Sequence, residues 1–250
     1  MNRPLVIAHR GASGDRAENT WPAFERAVEL SADMIETDLH LSRDKVVVIH
    51  HDAALERLGA EGEIRDRTSQ ELGALDAAPT EPGAQPIPTL PELLDRFGDR
   101  VSFNLELKRG LDRVYDGLEA QVLSEVEGRG LLSRTLFSCF EDSVLARLRA
   151  CSDAARLAVL VSPREPARVL ERAAQVGAEA VNPHAMLVDD AFVRSAHGAG
   201  LSVYPYTANA PEEMKRLLDC GVDGVITNFP RPLRELIDAR AAGRGTPGTQ

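Results

Sequence analysis

At 250 residues the chain can bury a full core, a length that suits one large α/β barrel or two modest domains. Hydrophobic residues make up 43% of it, which excludes a largely disordered chain. The formal net charge of −10 disfavours nucleic acid or an anionic membrane as a partner, although a metal ion and a few local cations can reverse the field inside one pocket of an acidic protein.

Cys139, Cys151 and Cys220 are odd in number and widely spaced, with no zinc or redox spacing among them, so reduced thiols are expected. Met1 to Leu5 lacks the regions of a signal peptide and no run approaches a membrane span. The expectation is a soluble, cytoplasmic protein without stable membrane association, and the oligomeric state stays open.

Apolar, β-branched runs recur in chain order as LVIAHRG, MIETDLHLS, VVVIHH, VSFNLELK, TLFSCF, RLAVLV, AEAVNP, LSVYPYT and GVITN. Between them TWPAFERAVELSA, DRVYDGLEAQVLSEVE, SVLARLRA, PARVLERAAQVG, FVRSAHGAG and PEEMKRLLDCG carry apolar residues at helical spacing. Gly177, Gly200 and Gly221 stand where left-handed C-caps are expected. Strands alternating with helices imply a parallel sheet. With VVVIHH taken as a partner or extension of the second strand, eight strand-helix units remain, the count of a closed (β/α)8 TIM barrel; an open doubly wound sheet is the alternative. At about 53–90 the rhythm breaks into a Gly, Pro and charge-rich insertion with a brief helical hint at SQELGALD, expected to lie over the barrel mouth. One barrel domain over 1–240 and a disordered tail at 241–250 complete the expected layout.

Polar residues inside strands carry the information, because a buried charge is costly unless paired or bound to metal. Glu36 and Asp38 are two apart in MIETDLH, and Asn104, Glu106 and Lys108 share the same period in VSFNLELK, so each set occupies one strand face toward the C-terminal end, where a barrel builds its active site. Glu36, Asp38 and Glu106 converging on one pocket would repel without a cation, and an all-oxygen set favours Mg²⁺ or Ca²⁺ over zinc. The competing reading is a set of ordinary rim ion pairs with Lys108 and Arg10.

His9 closes the first strand and His51 closes VVVIHH, so two imidazoles can overhang one pocket, one taking a proton and one giving it. His40, His197 and His50 read as structural, and His184 as satisfying a loop. Arg10 and Lys108 are the cations that would hold a phosphate. Gly11 and Gly14 let the backbone turn closely after the first strand, and Thr20 is the expected N-cap of the first helix.

Together these pieces resemble the glycerophosphodiester phosphodiesterase family across nearly the whole chain. The matching motifs are His9-Arg10-Gly11, Glu18-Asn19-Thr20, Glu36-Thr37-Asp38, His51-Asp52 with Leu55 and Arg57, Ile87-Pro88-Thr89-Leu90, and Asn104-Leu105-Glu106-Leu107-Lys108. Tyr206-Thr207-Ala208-Asn209 and the run from Gly221 to Asn228 are similar to the family's closing strands. The resemblance implies a (β/α)8 barrel and metal-dependent hydrolysis of glycerophosphodiesters, such as glycerophosphocholine or glycerophosphoethanolamine, to glycerol 3-phosphate and an alcohol. It assigns catalysis to His9 and His51, the metal to Glu36, Asp38 and Glu106, and phosphate contact to Arg10 and Lys108. Departures are Ala17 for a proline, Tyr206 for a tryptophan in the substrate-pocket wall, Cys139 for serine and Asn228 for aspartate, which bear on substrate preference rather than on the reaction. The alternatives are a phospholipase D-like hydrolase of lysophospholipids, disfavoured by the charged insertion, and a non-catalytic barrel that binds a phosphorylated metabolite.

Overall fold

The computed structural model describes residues 3–244 and forms an α/β barrel of eight parallel strands. The chain runs β1 (Leu5–His9), α1 (Trp21–Glu29), β2 (Met34–Leu41), β3 (Val47–Ile49), α2 (Ser69–Gly73), α3 (Leu90–Phe97), β4 (Ser102–Leu107) and α4 (Leu118–Gly128). It continues through β5 (Thr135–Cys139), α5 (Asp142–Cys151), β6 (Arg156–Val161), α6 (Val169–Val176), β7 (Ala180–Pro183), α7 (Asp190–Gly198), β8 (Ser202–Val203), α8 (Pro211–Cys220), β9 (Gly224–Thr227) and α9 (Pro230–Arg244). The parallel strands follow the order β8-β7-β6-β5-β4-β2-β1-β9. Backbone bonds from Asp223 N to Val203 O (3.1 Å) and from Ile226 N to Pro205 O (2.9 Å) join the two ends. The open-sheet alternative is thereby excluded, and VVVIHH supplies β3, an antiparallel partner to the end of β2.

Alternation along the strands sorts side chains into two environments. Outward residues such as Ile35, Leu39, Phe103, Leu105 and Phe137 pack beneath the helices in the main core. Inward residues Ile7, Met34, Leu136, Ala158, Ala180, Tyr204 and Ile226 form a separate apolar floor inside the barrel. The floor keeps the interior dry below, so polar side chains one step further along each strand must open toward the C-terminal mouth.

The insertion is ordered by a small core of its own, with Val48, Leu55, Ile64, Leu72 and Ile87 buried together. Its helical hint becomes α2, held by a reciprocal cap between Thr68 and Glu71. The same Thr-x-x-Glu signal, Thr89 with Glu92, starts α3, which the apolar spacing alone did not bring out. α4 begins at Leu118 rather than near Asp112, because Gly117 adopts φ 86° and breaks any earlier helical turn. Gly177 and Gly221 cap α6 and α8 in the left-handed conformation. Thr20 does occupy the N-cap position of α1, but its hydroxyl donates to Ala17 O (2.7 Å) and so ties the preceding loop instead of the helix end. The expected tail is corrected at its start: α9 continues through Ala241 and Ala242 to Arg244, as strong helix formers allow, and 245–250 lie outside the described residues.

The turn that carries the site away from β1 depends on Gly11. Its φ is 79°, and a Cβ there would lie 2.6 Å from the Ala23 carbonyl carbon, while Ala12 N bonds Ala23 O at 2.9 Å. Gly11→Ala therefore combines strain with a backbone clash and is expected to cost more than about 1 kcal/mol, read as a lower urea midpoint with an unchanged m-value.

Candidate active site

Inward positions beyond the apolar floor reach one cavity of about 180 Å³ lined by His9, Arg10, Glu36, His51, Glu106 and Lys108 among others. β2 contributes Glu36 and Asp38, and β4 contributes Glu106 and Lys108, in the register Glu36↔Asn104 and Asp38↔Glu106. Each of Glu36, Asp38 and Glu106 offers an oxygen within 4.8 Å of the other two, and all three are buried. This is the cluster the strand spacing predicts, and among the described residues it is the one arrangement of His, Cys, Asp and Glu compact enough to hold a metal ion.

The cluster is also part of an ion-pair network, so the competing rim-pair reading describes some of the same contacts. Asp38 lies 3.1 Å from Arg10 Nε and 3.1 Å from Lys108 Nζ, and it accepts from Asn19 Nδ2 at 2.9 Å. Lys108 donates to Glu106 Oε1 at 2.8 Å, and Arg10 N donates to Glu36 Oε2 at 3.1 Å. Burial works against ionising Asp38, but Lys108 and Arg10 overcome it and hold its carboxyl well below the usual range. Glu36 goes the other way: burial, then Asp38 and Glu106 beside it, push its pKa well above the ordinary value. Burial raises Glu106 too, against the pull of Lys108. Two cations thus answer three carboxylates, and the cluster retains affinity for one more positive charge. Its donor set is oxygen throughout, which fits a hard divalent cation.

Both imidazoles line the cavity, and their partners define their tautomers. Asn228 Oδ1 lies 2.7 Å from His9 Nδ1 and can only accept, so Nδ1 carries the proton and Nε2 presents a lone pair, 3.9 Å from Glu36 Oε2. Burial and the neighbouring Arg10 lower the His9 pKa to about 4, which keeps the ring neutral near pH 7. His51 Nδ1 donates to Asp52 Oδ1 at 2.8 Å, and Asp52 is in turn gripped by Arg57 at 2.9 Å. Arg57 also reaches Glu18 (3.3 Å), which pairs with Arg10 (2.7 Å). Of these partners, Asn228 acts on His9 from 219 positions away, whereas Asp52 and Glu18 lie close in the chain to the residues they hold and stand in the sequence only as parts of motifs, without a role in the expected site.

The remaining residues fall as follows. Tyr206 lines the cavity with its ring between Phe140 (6.1 Å) and His184 (5.6 Å), and its hydroxyl donates to Val161 O at 3.2 Å. His184 accepts from Met186 N at 3.3 Å and so serves its loop. His50 points away from His51 and lines a second cleft between the insertion and the β1–α1 loop. His197 pairs with Asp223 at 2.8 Å. His40 donates through Nε2 to His51 O (3.2 Å) and accepts from the Tyr115 hydroxyl (2.7 Å), which anchors the backbone behind His51.

Comparison with known proteins agrees with this geometry. The glycerophosphoryl diester phosphodiesterase family matches residues 9–231. A glycerophosphodiester phosphodiesterase of Caldanaerobacter subterraneus subsp. tengcongensis is 31% identical over 94% of this chain and 98% of its own. One from Bacillus altitudinis is 34% identical over 90% and 94%. Among solved structures, an Oleispira antarctica phosphodiesterase in complex with its product sn-glycerol-3-phosphate is 30% identical over 94% of this chain and 97% of its own, with a TM-score of 0.82. The barrel and its acidic, two-histidine mouth define a phosphoric diester hydrolase. The chain belongs to the glycerophosphodiester phosphodiesterase family. Among the described residues no helix is long and apolar enough to cross a membrane.

Burial drives the His40 pKa down to about 3 against the ordinary 6.5. Such a ring takes up its proton on unfolding, so its contribution to stability is whole above pH 6.5 and is lost as the pH falls toward 3. In chelator-treated protein the unfolding free energy should decline over that window by on the order of 1 kcal/mol per pH unit for each such histidine. His40→Gln should make the decline shallower, measured by denaturant titration at successive pH values.

Proposed function

We propose that this chain hydrolyses small glycerophosphodiesters, such as glycerophosphocholine and glycerophosphoethanolamine, to glycerol 3-phosphate and an alcohol. The observation that carries the reading is one cavity lined by Glu36 and Glu106 of the three clustered carboxylates, by Arg10 and Lys108, and by two imidazoles with different surroundings, with Asp38 buried directly behind it. The product in the Oleispira antarctica complex supports the same substrate class.

Glu36, Asp38 and Glu106 would hold a divalent ion, with Mg²⁺ and Ca²⁺ favoured by the oxygen donors. When bound, the ion supplies Lewis-acid charge that offsets the negative charge of the phosphoryl oxygens. Arg10 and Lys108 act on those oxygens in the same sense, as donors in a dry pocket. His9, neutral with Nε2 free, removes the proton from the substrate's glycerol 2-hydroxyl. That oxygen attacks phosphorus, a cyclic phosphate forms, and the P–O bond to the alcohol breaks. His51 donates the proton that the departing alkoxide takes up, and Asp52 balances the charge on its ring. Water then gives a proton to His51 and attacks phosphorus, and His9 returns its proton to the 2-oxygen as the ring opens. Tyr206 forms one wall of the substrate pocket.

A second reading, cleavage of lysophospholipids, has one observation in its favour. Leu111, Phe140, Met186 and Phe229 are exposed on the loops that follow β4, β5, β7 and β9, which gives the mouth apolar side chains in addition to the charged insertion. A human lysophospholipase D is 26% identical over 92% of this chain. Parallel assays of glycerophosphocholine and lysophosphatidylcholine separate the two, and faster turnover of the lysolipid would reverse the ranking. Binding of glycerol 3-phosphate with no hydrolysis of any diester would instead favour a sensor.

His9→Ala and His51→Ala are each expected to lower kcat by 10²-fold or more while leaving the fold intact by circular dichroism. A chelator should abolish turnover, and Mg²⁺ or Ca²⁺ should restore it in the parent but not in Glu36→Gln. Near-parental rates in a histidine variant, or full activity after metal stripping, would remove the corresponding role.

A further inference from the structure

The inward positions beyond the apolar floor include a group of residues that the proposed chemistry leaves unused. Asn104 on β4, Ser138 on β5 and Asn182 on β7 are 0%, 1% and 0% exposed. Both side-chain polar atoms of each asparagine and the Ser138 hydroxyl lack a hydrogen-bond partner among the described residues. All three line the same cavity as His9, Glu36 and Lys108. An apolar residue would fill such a position without any polar atom to satisfy, yet five polar atoms from β4, β5 and β7 face this one cavity with no protein partner among the described residues. Structural need does not explain it, since apolar residues fill the equivalent positions one step below, where Leu136, Ala158 and Ala180 sit. Preorganised polar groups kept unpaired in a cavity are those a ligand completes.

The chemistry of the group restricts the ligand. Two amides and a hydroxyl are neutral and offer donors and acceptors together, which suits alcohol groups and not a phosphate or an ammonium. Their depth restricts it further. Asn104 precedes Glu106 by two residues, so it lies about 7 Å deeper along the strand at the usual rise of about 3.3 Å per residue. A phosphoryl group held at the level of Glu106 and Lys108 would therefore send a short polyol chain down to the amides, with Leu160 and Ile226 against its carbons. The other ester arm points to the open mouth.

We infer that Asn104, Ser138 and Asn182 form a neutral cradle that recognises the free terminal hydroxyl of the glycerol moiety and so determine which side of the diester enters first. This rests on the glycerophosphodiesterase reading and extends it to the orientation and specificity of the substrate. The residues act by hydrogen bonding to the substrate's alcohol and take no proton. A site built to bind a substrate hydroxyl rejects the analogue that lacks it far more strongly than an apolar pocket rejects an added one.

The test compares glycerophosphoethanolamine with its 1,2-propanediol counterpart, which keeps the attacking 2-hydroxyl and lacks only the terminal one. The parent should prefer the glycerol diester by about 10²-fold or more in kcat/KM. Asn182→Leu, of similar size without polar atoms, should reduce that preference to below about tenfold, and Ser138→Ala should reduce it with minimal change in packing. Because the replaced amide is unpaired in the free protein, Asn182→Leu should melt at the parental temperature or above. Calorimetric binding of glycerol 3-phosphate against 1,2-propanediol 1-phosphate reads the same preference without turnover. A parent that does not discriminate, variants that keep the full preference, or variants slowed equally on both diesters would overturn the inference. A parent that cleaves neither diester would remove the functional reading alone, since the binding preference still decides for or against the cradle.

Discussion

The mouth of this barrel is organised around one electrostatic constraint: three carboxylates lie within 4.8 Å of one another in a buried position, and two cations answer them. Asp38 sits between Arg10 and Lys108 and stays ionised, whereas Glu36 and Glu106 are left with raised pKa values and part of their charge unanswered. An internal ion pair of this kind seldom stabilises a fold, because desolvation takes back most of what attraction supplies. The cluster is better understood as a place where the chain gives up stability to keep a high negative charge density in a dry cup. In the proposed function, a bound divalent cation would relieve the repulsion and turn the same cup toward an incoming phosphate.

Much of this was legible from period-2 spacing alone. Once MIETDLH and VSFNLELK are strands, Glu36 with Asp38 and Glu106 with Lys108 must share faces, and parallel register brings the two faces together without further information. The eight-unit count and the antiparallel role of VVVIHH followed from the same rhythm. What stayed hidden depends on distance in the chain or on local backbone geometry. Asn228 fixes the His9 tautomer from the far end of the sequence, and Asp52 is bound to Arg57 and through it to Glu18. Thr20 reads as a helix cap and instead closes a turn, because an equally close carbonyl at Ala17 competes for its hydroxyl. α3 carried a readable Thr89-x-x-Glu92 signal, but its eight residues follow directly on an irregular segment that masks their period.

Asn182 and Ser138 show a different kind of omission. Each is the single inward-facing polar residue of a short strand and so has no inward polar partner on its own strand to mark it as functional. Only the closed barrel brings these positions to the same cavity as Asn104 and shows that no described residue satisfies them. Inward residues thus change from apolar at the floor, as at Met34, Leu136 and Ala180, to polar or charged two positions further on, as at Glu36, Ser138 and Asn182.

The loops have a different task, and the insertion illustrates it. It begins at Asp52, adjacent to His51, and returns through Arg57 toward Glu18 on the β1–α1 loop. Because Glu18 holds Arg10, a continuous series of polar contacts runs from the His51 ring to the residue following His9. The two imidazoles come from different strands and have no direct bond to share, so their separation would vary with every movement of the two loops that carry them. Arg57 contacts both carboxylates and so links those two loops through a single side chain. An insertion at this point in the fold therefore contributes to the site through the charge it carries across the mouth, and its own small apolar core keeps Arg57 in reach.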